Sequence, residues 1–259
     1  MAAVEHPYAS VERELRGTAF SHIRYEQSTA STNDDAAALL GDPAAAGLTI
    51  VAEVQTRGAG RKGRSWIASP GSALLMTTIA PHAVPTANVW VVPFGIALGV
   101  RRALLQSGVR TELHWPNDLL AGGKKIAGIL CVSRVLGEHT YVASGIGINV
   151  YRTPDADAAI DPPPAFCNDF NPSVDRAVLL RDILINYDVW FSTLAMPQRI
   201  ARVWERLAGL PKPYTILKDG ATGPVTVTAV SLATGGGLNV VHADGERETI
   251  ALADARALR

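Results

Sequence analysis

The segment Val54–Trp66, VQTRGAGRKGRSW, and the residues just after it restrict the folds open to this chain more than any other feature. Gly58-Ala-Gly60-Arg-Lys-Gly63 matches G-x-G-x-x-G behind a strand-like run, the pattern that opens a dinucleotide-binding crossover. That fold requires a helix from the third glycine and an acidic residue further on to hold a ribose hydroxyl. Here RSWIASPGS follows, and its Pro70 and Gly71 cannot continue a helix. No Asp or Glu occurs between Glu53 and Glu112. A Walker loop is also excluded, because no G-x-x-x-x-G-K-[ST] exists in the chain, and no HRD or DFG supports a protein kinase.

The loop instead carries four cations, Arg57, Arg61, Lys62 and Arg64, among three glycines, Gly58, Gly60 and Gly63. Glycine lets backbone approach a ligand closely, and guanidinium or ammonium groups beside it suit a phosphate or carboxylate. The chain as a whole is neutral, with 24 cations and 24 anions. A local positive field in a neutral protein points to a small anionic ligand more than to a long nucleic acid. On composition alone, a solvated basic surface loop accounts for the same residues equally well.

At 47% hydrophobic and 19% charged, the 259 residues are those of a packed globular protein. Cys131 and Cys167 have no metal-ligand spacing and read as free thiols of a reducing, cytoplasmic compartment. MAAVEHPYASVERELR carries charges where a signal peptide has an apolar core. The longest apolar run, Val89–Val100, is too short for a bilayer and contains Pro93 and Gly95.

Periodicity predicts helices over Tyr8–Arg16, Asn33–Leu40, Asn88–Ser107, Asp175–Leu194 and Gln198–Leu207. Strands are expected over Phe20–Gln27, Leu48–Gln55 and Ala73–Ile79, with Lys125–Arg134 and Thr140–Val150 forming a hairpin around LGEH. After Leu210-Pro-Lys-Pro213 the texture changes to short strands, Val225–Ser231, Leu238–His242 and Glu248–Leu252, between glycine-rich turns. This is the pattern of an α+β domain with a small β-barrel appended near residue 211.

Other constellations are ambiguous by themselves. Ser31-Thr-Asn33 reads first as a helix cap, though a helix N-terminus with hydroxyl and amide side chains also binds polar ligand groups. His114-Trp-Pro-Asn-Asp118 is a tight turn or a polar site floor. Lys125, opening an apolar strand, either snorkels to water or aims a cation into a cleft. Gly145-Ile-Gly147 puts two glycines on one strand face, where a ligand or another backbone can approach.

Taken in order, STASTN, AEVQTRGAGRKGRSW, HWPNDLL, KKIAGIL and SGIGINV resemble the motifs of biotin protein ligases, across about residues 20–150. The resemblance implies a mixed-sheet catalytic domain of class II synthetase-like, biotinyl/lipoyl-ligase type over residues 1–210, and an SH3-like β-barrel over 211–259. It implies ATP-dependent attachment of biotin, through biotinyl-5′-AMP, to a lysine of a biotin carboxyl carrier domain, with Mg²⁺ accompanying ATP. Neither nucleic acid nor membrane is an expected partner. About twenty residues precede the first core strand, too few for the DNA-binding domain of the repressor members, so no operator binding is expected.

Carried over by residue, Arg61 and Lys125 are the catalytic cations on the carboxylate and α-phosphate. Ser31, Thr32, Asn33, Gln55, Gly58, Ala59, Gly60, Gly128, Gly145 and Gly147 join them around biotin. Arg64, Trp66, Asn117, Asn149 and Arg259 lie toward the nucleotide, with Asp118 a candidate for positioning Mg²⁺ or the incoming lysine. The glycines of Arg57–Trp66 imply a lid, mobile when empty and ordered over the adenylate.

Two positions depart from the family pattern. Ala59 stands where G-R-G-R-R-G has its first arginine, with Arg57 two residues earlier, and His114 replaces the lysine of K-W-P-N-D. Two further readings stay open. A lipoate or octanoate ligase shares the fold, but its R-R-x-S-G-G-G-x-V-type motif is absent. A non-catalytic biotin or nucleotide sensor would not need both Arg61 and Lys125.

Overall fold

The computed structural model describes residues 6–154 and 162–258. Its larger sheet has strands β1 (Ile23–Glu26), β2 (Thr49–Ala52), β3 (Ala73–Ile79), β4 (Val84–Pro85), β5 (Glu112–His114), β6 (Asp118–Ala121), β7 (Lys124–Leu136) and β8 (His139–Asn149). They lie in the order β1-β2-β3-β8-β7-β6-β5, with β4 beside β8. Only the β1–β2 pair is parallel, so the sheet is mixed. The β7–β8 hairpin turns at Gly137-Glu138, where Gly137 takes φ 62°, a left-handed value that glycine adopts without a Cβ clash.

Alternation along the central strands gives the sheet two different faces. Val142, Ile146 and Ile148 of β8, with Ala127 and Ile129 of β7, enter the main core under the helices. Ala143 faces a smaller cluster with Ala36, Ile50 and Ile79. On the first face lie α3 (Val92–Gln106) and α4 (Arg176–Phe191), with α5 (Pro197–Ala208) against α3. Gly99 lets α3 and α4 close together: a Cβ there would sit 3.0 Å from the Tyr187 ring. Asp175 caps α4 by accepting from the Ala177 and Val178 amides, and Gly209 ends α5 in a left-handed conformation. α1 (Ala9–Glu14) rests on α4. On the other face, among the described residues, the short α2 (Thr32–Ala37) lies across β2, β3, β7 and β8, and beside it there is room for a cavity.

The helical stretch before and through α3 is longer than the Val89–Val100 run suggests. Thr86–Gln106 spans 21 residues, and its most apolar 18-residue stretch has a mean hydropathy of 1.3 and is 61% buried inside the fold. A second sheet follows, β9 (Lys212–Lys218), β10 (Val225–Leu232), β11 (Leu238–Val241), β12 (Arg247–Ile250) and β13 (Ala255–Ala257). Its order is β12-β11-β10-β9-β13, antiparallel throughout. The strands expected after Leu210–Pro213 begin earlier than Val225, with β9 opening at Lys212. β9 and β13 escaped the pattern because Pro211 and Pro213 stand at the start of the first and the second is only three residues long.

The two sheets meet at the HWPND segment. Trp115 is fully buried, its indole donates to the Gly236 carbonyl at 3.0 Å, and its amide donates to the Tyr214 hydroxyl at 3.3 Å.

Candidate functional site

The N-terminus of α2 forms one end of the site. Ser31, Thr32 and Asn33 are buried beneath solvent-accessible space rather than spread over a surface turn. Ser31 occupies the N-cap position, yet its side chain makes no capping hydrogen bond, so the cap reading does not account for it. Gln55 Oε1 accepts from the Thr32 amide at 2.7 Å and its hydroxyl at 3.0 Å. Asn33 Nδ2 donates to the Leu130 carbonyl at 3.1 Å. Gly145 is what permits this: a Cβ there would fall 2.1 Å from Asn33 Oδ1. The glycine keeps the helix terminus seated on β8.

The Gly/Arg segment is folded on itself. The Gly60 amide donates to the Arg64 carbonyl at 2.6 Å and the Trp66 amide to the Gly58 carbonyl at 2.8 Å, around a turn at Arg61–Gly63 in which Lys62 takes φ 56°. The Trp66 indole packs against the second strand glycine, where a Gly147 Cβ would meet it at 2.3 Å. Its Nε1 is buried with no hydrogen-bond partner among the described residues, a donor that a ligand can satisfy. The turn also reaches the second sheet. Arg61 Nη2 donates to the Leu252 carbonyl, and Lys62 Nζ lies 2.6 Å from Asp219 Oδ1. Burial, with the like charge of Arg64 added, lowers the Arg61 pKa from its usual value.

Lys125 enters from β7. Its Nζ is 2.6 Å from Asp118 Oδ1 and 5.5 Å from the centre of the Trp66 ring. Asn117 Nδ2 donates to the Ile129 carbonyl at 2.6 Å, tying the HWPND turn to β7. Asn149 Nδ2 donates to the carbonyls of Ala165 and Lys125, at 3.2 and 3.4 Å, which fixes the proline loop against the strand that carries Lys125.

These pieces enclose one cavity of about 200 Å³. Of the residues expected from sequence, Ser31, Thr32, Asn33, Gln55, Ala59, Gly60, Arg61, Arg64, Trp66, Asn117, Lys125, Gly128, Gly145, Gly147 and Asn149 line it. Gly58 does not; it sits behind the loop, where a Cβ would strike the Trp66 carbonyl at 2.5 Å. Asp118 is outside the lining and acts on it through Lys125. Arg57 is exposed and is not in the lining. His114 is not in the lining either; its ring packs on Tyr214 at 5.0 Å between centroids. Arg259 lies outside the described residues.

The sequence reading missed Ser65, Ile67, Met76, Ile129, Leu130, Ile146, Pro162 and Pro164 in the lining. Leu130 shares a strand face with Gly128, so period-two counting could have found it. Pro162 and Pro164 carried no signal beyond a loop. Among the described residues, no group of three or more His, Cys, Asp or Glu is arranged to hold a metal ion.

A family model for the biotin/lipoate A/B protein ligase family matches residues 25–149, the span that contributes almost all of this lining. A biotin–[acetyl-CoA-carboxylase] ligase of Paracoccus denitrificans is 37% identical over 139 residues, 52% of this chain and 56% of that protein. A bifunctional ligase/repressor of Bacillus subtilis is 31% identical over 173 residues, 64% of this chain and 53% of that protein. Over this span the chain is similar to biotin protein ligases. It spans about half the length of the curated relatives it matches. The architecture agrees more widely: a biotin protein ligase from Aquifex aeolicus, solved with biotin and ATP, superposes with a TM-score of 0.75. That match covers 93% of this chain and 100% of the other at 22% identity, a likeness of fold. The cavity between α2, the Gly/Arg turn and β7–β8 falls within the matched span and is the candidate functional site.

Proposed function

We propose that this protein attaches biotin to a lysine of a biotin carboxyl carrier domain in two steps, at the expense of ATP. In the first, a biotin carboxylate oxygen attacks the α-phosphorus and pyrophosphate leaves. In the second, the acceptor amine attacks the acyl carbon of biotinyl-5′-AMP, an amide forms, and AMP leaves with the carboxylate oxygen. The observation that carries this reading is the convergence of two cations, Arg61 and Lys125, on one cavity whose far end is a buried helix N-terminus rich in hydroxyl and amide groups.

The first step brings two anions together. Fixed cations offset that repulsion and stabilise the charge that builds up at phosphorus. Each cation is held on an oxygen, Lys125 by Asp118 and Arg61 by the Leu252 carbonyl. A carboxylate or phosphate entering the cavity competes for them without their having to be recruited from solvent. Ser31, Thr32, Asn33 and Gln55 take the polar ring of biotin, Gly128 and Gly147 give its chain a flat floor, and Trp66 covers the junction with the nucleotide. Arg64, Asn117 and Asn149 face the nucleotide. Among the described residues no acidic cluster is arranged to hold a metal ion and Asp118 is engaged by Lys125, so Mg²⁺ is read as entering on the phosphates of ATP.

The five antiparallel strands beyond residue 211 support the further reading that they form a separate SH3-like barrel, with residues 1–210 as the catalytic domain. The two free thiols support a cytoplasmic location.

The test is transfer of biotin to a carboxyl carrier domain, read by streptavidin blot, with ATP and Mg²⁺ and a parallel lipoate reaction. Labelling should need ATP, ignore lipoate and fall at least about 100-fold in Lys125→Ala, as when a group that stabilises the transition-state charge is removed. Labelling with lipoate in place of biotin would overturn the assignment.

A further inference from the structure

Thr77 lies in the middle of β3, fully buried, and is absent from the cavity lining. Its hydroxyl nevertheless touches two residues that line the cavity, Thr32 Oγ1 at 2.7 Å and Asn33 Oδ1 at 2.8 Å. The chemistry of the fixed partners decides which way each group in this cluster points. The backbone amide of Thr32 can only donate, so the end of Gln55 that it meets at 2.7 Å is oxygen. The NH2 end of Gln55 is therefore the one left to meet a ligand. The Leu130 carbonyl can only accept, so the end of Asn33 that it meets is nitrogen, and the other end is an acceptor turned to Thr77.

We infer that Thr77 is a positioning residue that sets the donor and acceptor polarity of the biotin-ring end of the cavity. This rests on the ligase reading above. Asn33 Oδ1 has no hydrogen, so the Thr77 hydroxyl hydrogen is directed to it. The same Thr77 hydroxyl is also placed to donate to Thr32 Oγ1, at 2.7 Å, so its one hydrogen serves two acceptors. The Thr32 hydroxyl also lies 3.0 Å from Gln55 Oε1, which likewise brings no hydrogen.

Three short oxygen–oxygen contacts thus share two hydroxyl hydrogens. Buried oxygens short of a donor favour a ligand that brings N–H groups. The outward NH2 of Gln55 favours a ligand that also brings a carbonyl. A cyclic urea, with two N–H groups flanking one C=O, satisfies both demands. Thr77 makes this pattern unique, because without its hydroxyl Asn33 and Thr32 lose the shared partner that orients them.

The experiment measures biotin binding by calorimetry and steady-state transfer in wild type, Thr77→Val and Thr77→Ser. Valine keeps the branched shape and removes the hydroxyl; serine keeps the hydroxyl. In Thr77→Val, Kd and KM for biotin should rise about tenfold, the loss of one well-placed buried hydrogen bond, with kcat within about twofold. Thr77→Ser should restore wild-type binding. Preference for biotin over 2-iminobiotin, whose guanidine-type head replaces the carbonyl with a donor, should shrink in Thr77→Val and return in Thr77→Ser. If Thr77→Val fails to melt cooperatively, Thr77→Ala serves in its place. Unchanged biotin affinity in a folded hydroxyl-less variant, or a serine variant as poor as valine, overturns the inference. A wild-type protein that binds no biotin overturns the ligase reading instead.

Discussion

At the scale of single residues, the site depends on what two glycines leave out. Both Gly145 and Gly147 point to the α2 face, but they clear space for different groups. A methyl at Gly145 would collide with Asn33, which is buried and hydrogen-bonded on both ends of its amide. Gly145→Ala should therefore cost stability, about 1–3 kcal/mol in a thermal or urea melt, as overpacking does. A methyl at Gly147 would collide with Trp66, which is only partly buried and can swing out. Gly147→Ala should melt near wild type and lose activity, up to about 100-fold in kcat/KM, because the wall over the reacting groups is displaced.

Asp169 offers a test with pH as the variable. Hydrogen bonds from Arg152, at 2.8 Å on each oxygen, lower its pKa from the ordinary 3.8. The stabilisation from this pair is fully present above pH 3.8 and is lost as pH falls through the lower, folded-state value. Asp169→Asn should reduce stability by about 1 kcal/mol at neutral pH, a modest figure for a partly exposed pair. The gap from wild type should close in acid below the folded-state pKa. A gap that persists there would assign the effect to shape rather than charge.

At the scale of elements, the Gly/Arg turn is held by the second sheet as well as by its own hairpin. Arg61 and Lys62 reach Leu252 and Asp219 respectively, from adjacent positions of one turn. The Lys62–Asp219 pair is solvent-facing, with Asp219 64% exposed, so its contribution to global stability is small. Its contribution to the turn is larger, because the turn has little other packing: among its residues, Lys62, Gly63 and Arg64 are all exposed. Asp219→Ala should leave the melting temperature nearly unchanged while trypsin cuts the turn faster. Biotin with ATP should slow that cleavage in both proteins if the turn is the lid its glycines imply. Equal cleavage of wild type and variant would mean that the second sheet does not restrain the turn.

At the scale of the whole molecule, Trp115 links the two sheets to the chemistry. It is buried between them with its indole on Gly236, and the next residues in the chain carry Asn117 and Asp118 to β7 and Lys125. Trp115→Phe leaves the Gly236 carbonyl buried without its donor, which should cost about 1–3 kcal/mol. Because the same segment positions Lys125, kcat should fall with stability. A stability loss with unchanged kcat would show that the junction is structural only.

Five short motifs, their order, and the failure of the helix after Gly63 were enough to point to the ligase likeness, the α+β class and most of the cavity lining. Such information is local: residue type, spacing and period are properties of a few adjacent positions. The tertiary structure decided the rest, because each remaining question concerned neighbours far apart in the chain. It excluded Gly58, Arg57 and His114 from the lining, and it set Asp118 on Lys125 rather than in the cavity. It also brought in Thr77, a residue that reads as strand core in any sequence and acts only because β3 passes beneath the start of α2. A hydroxyl's role depends on what lies within about 3 Å of it, a distance set by packing across the sheet.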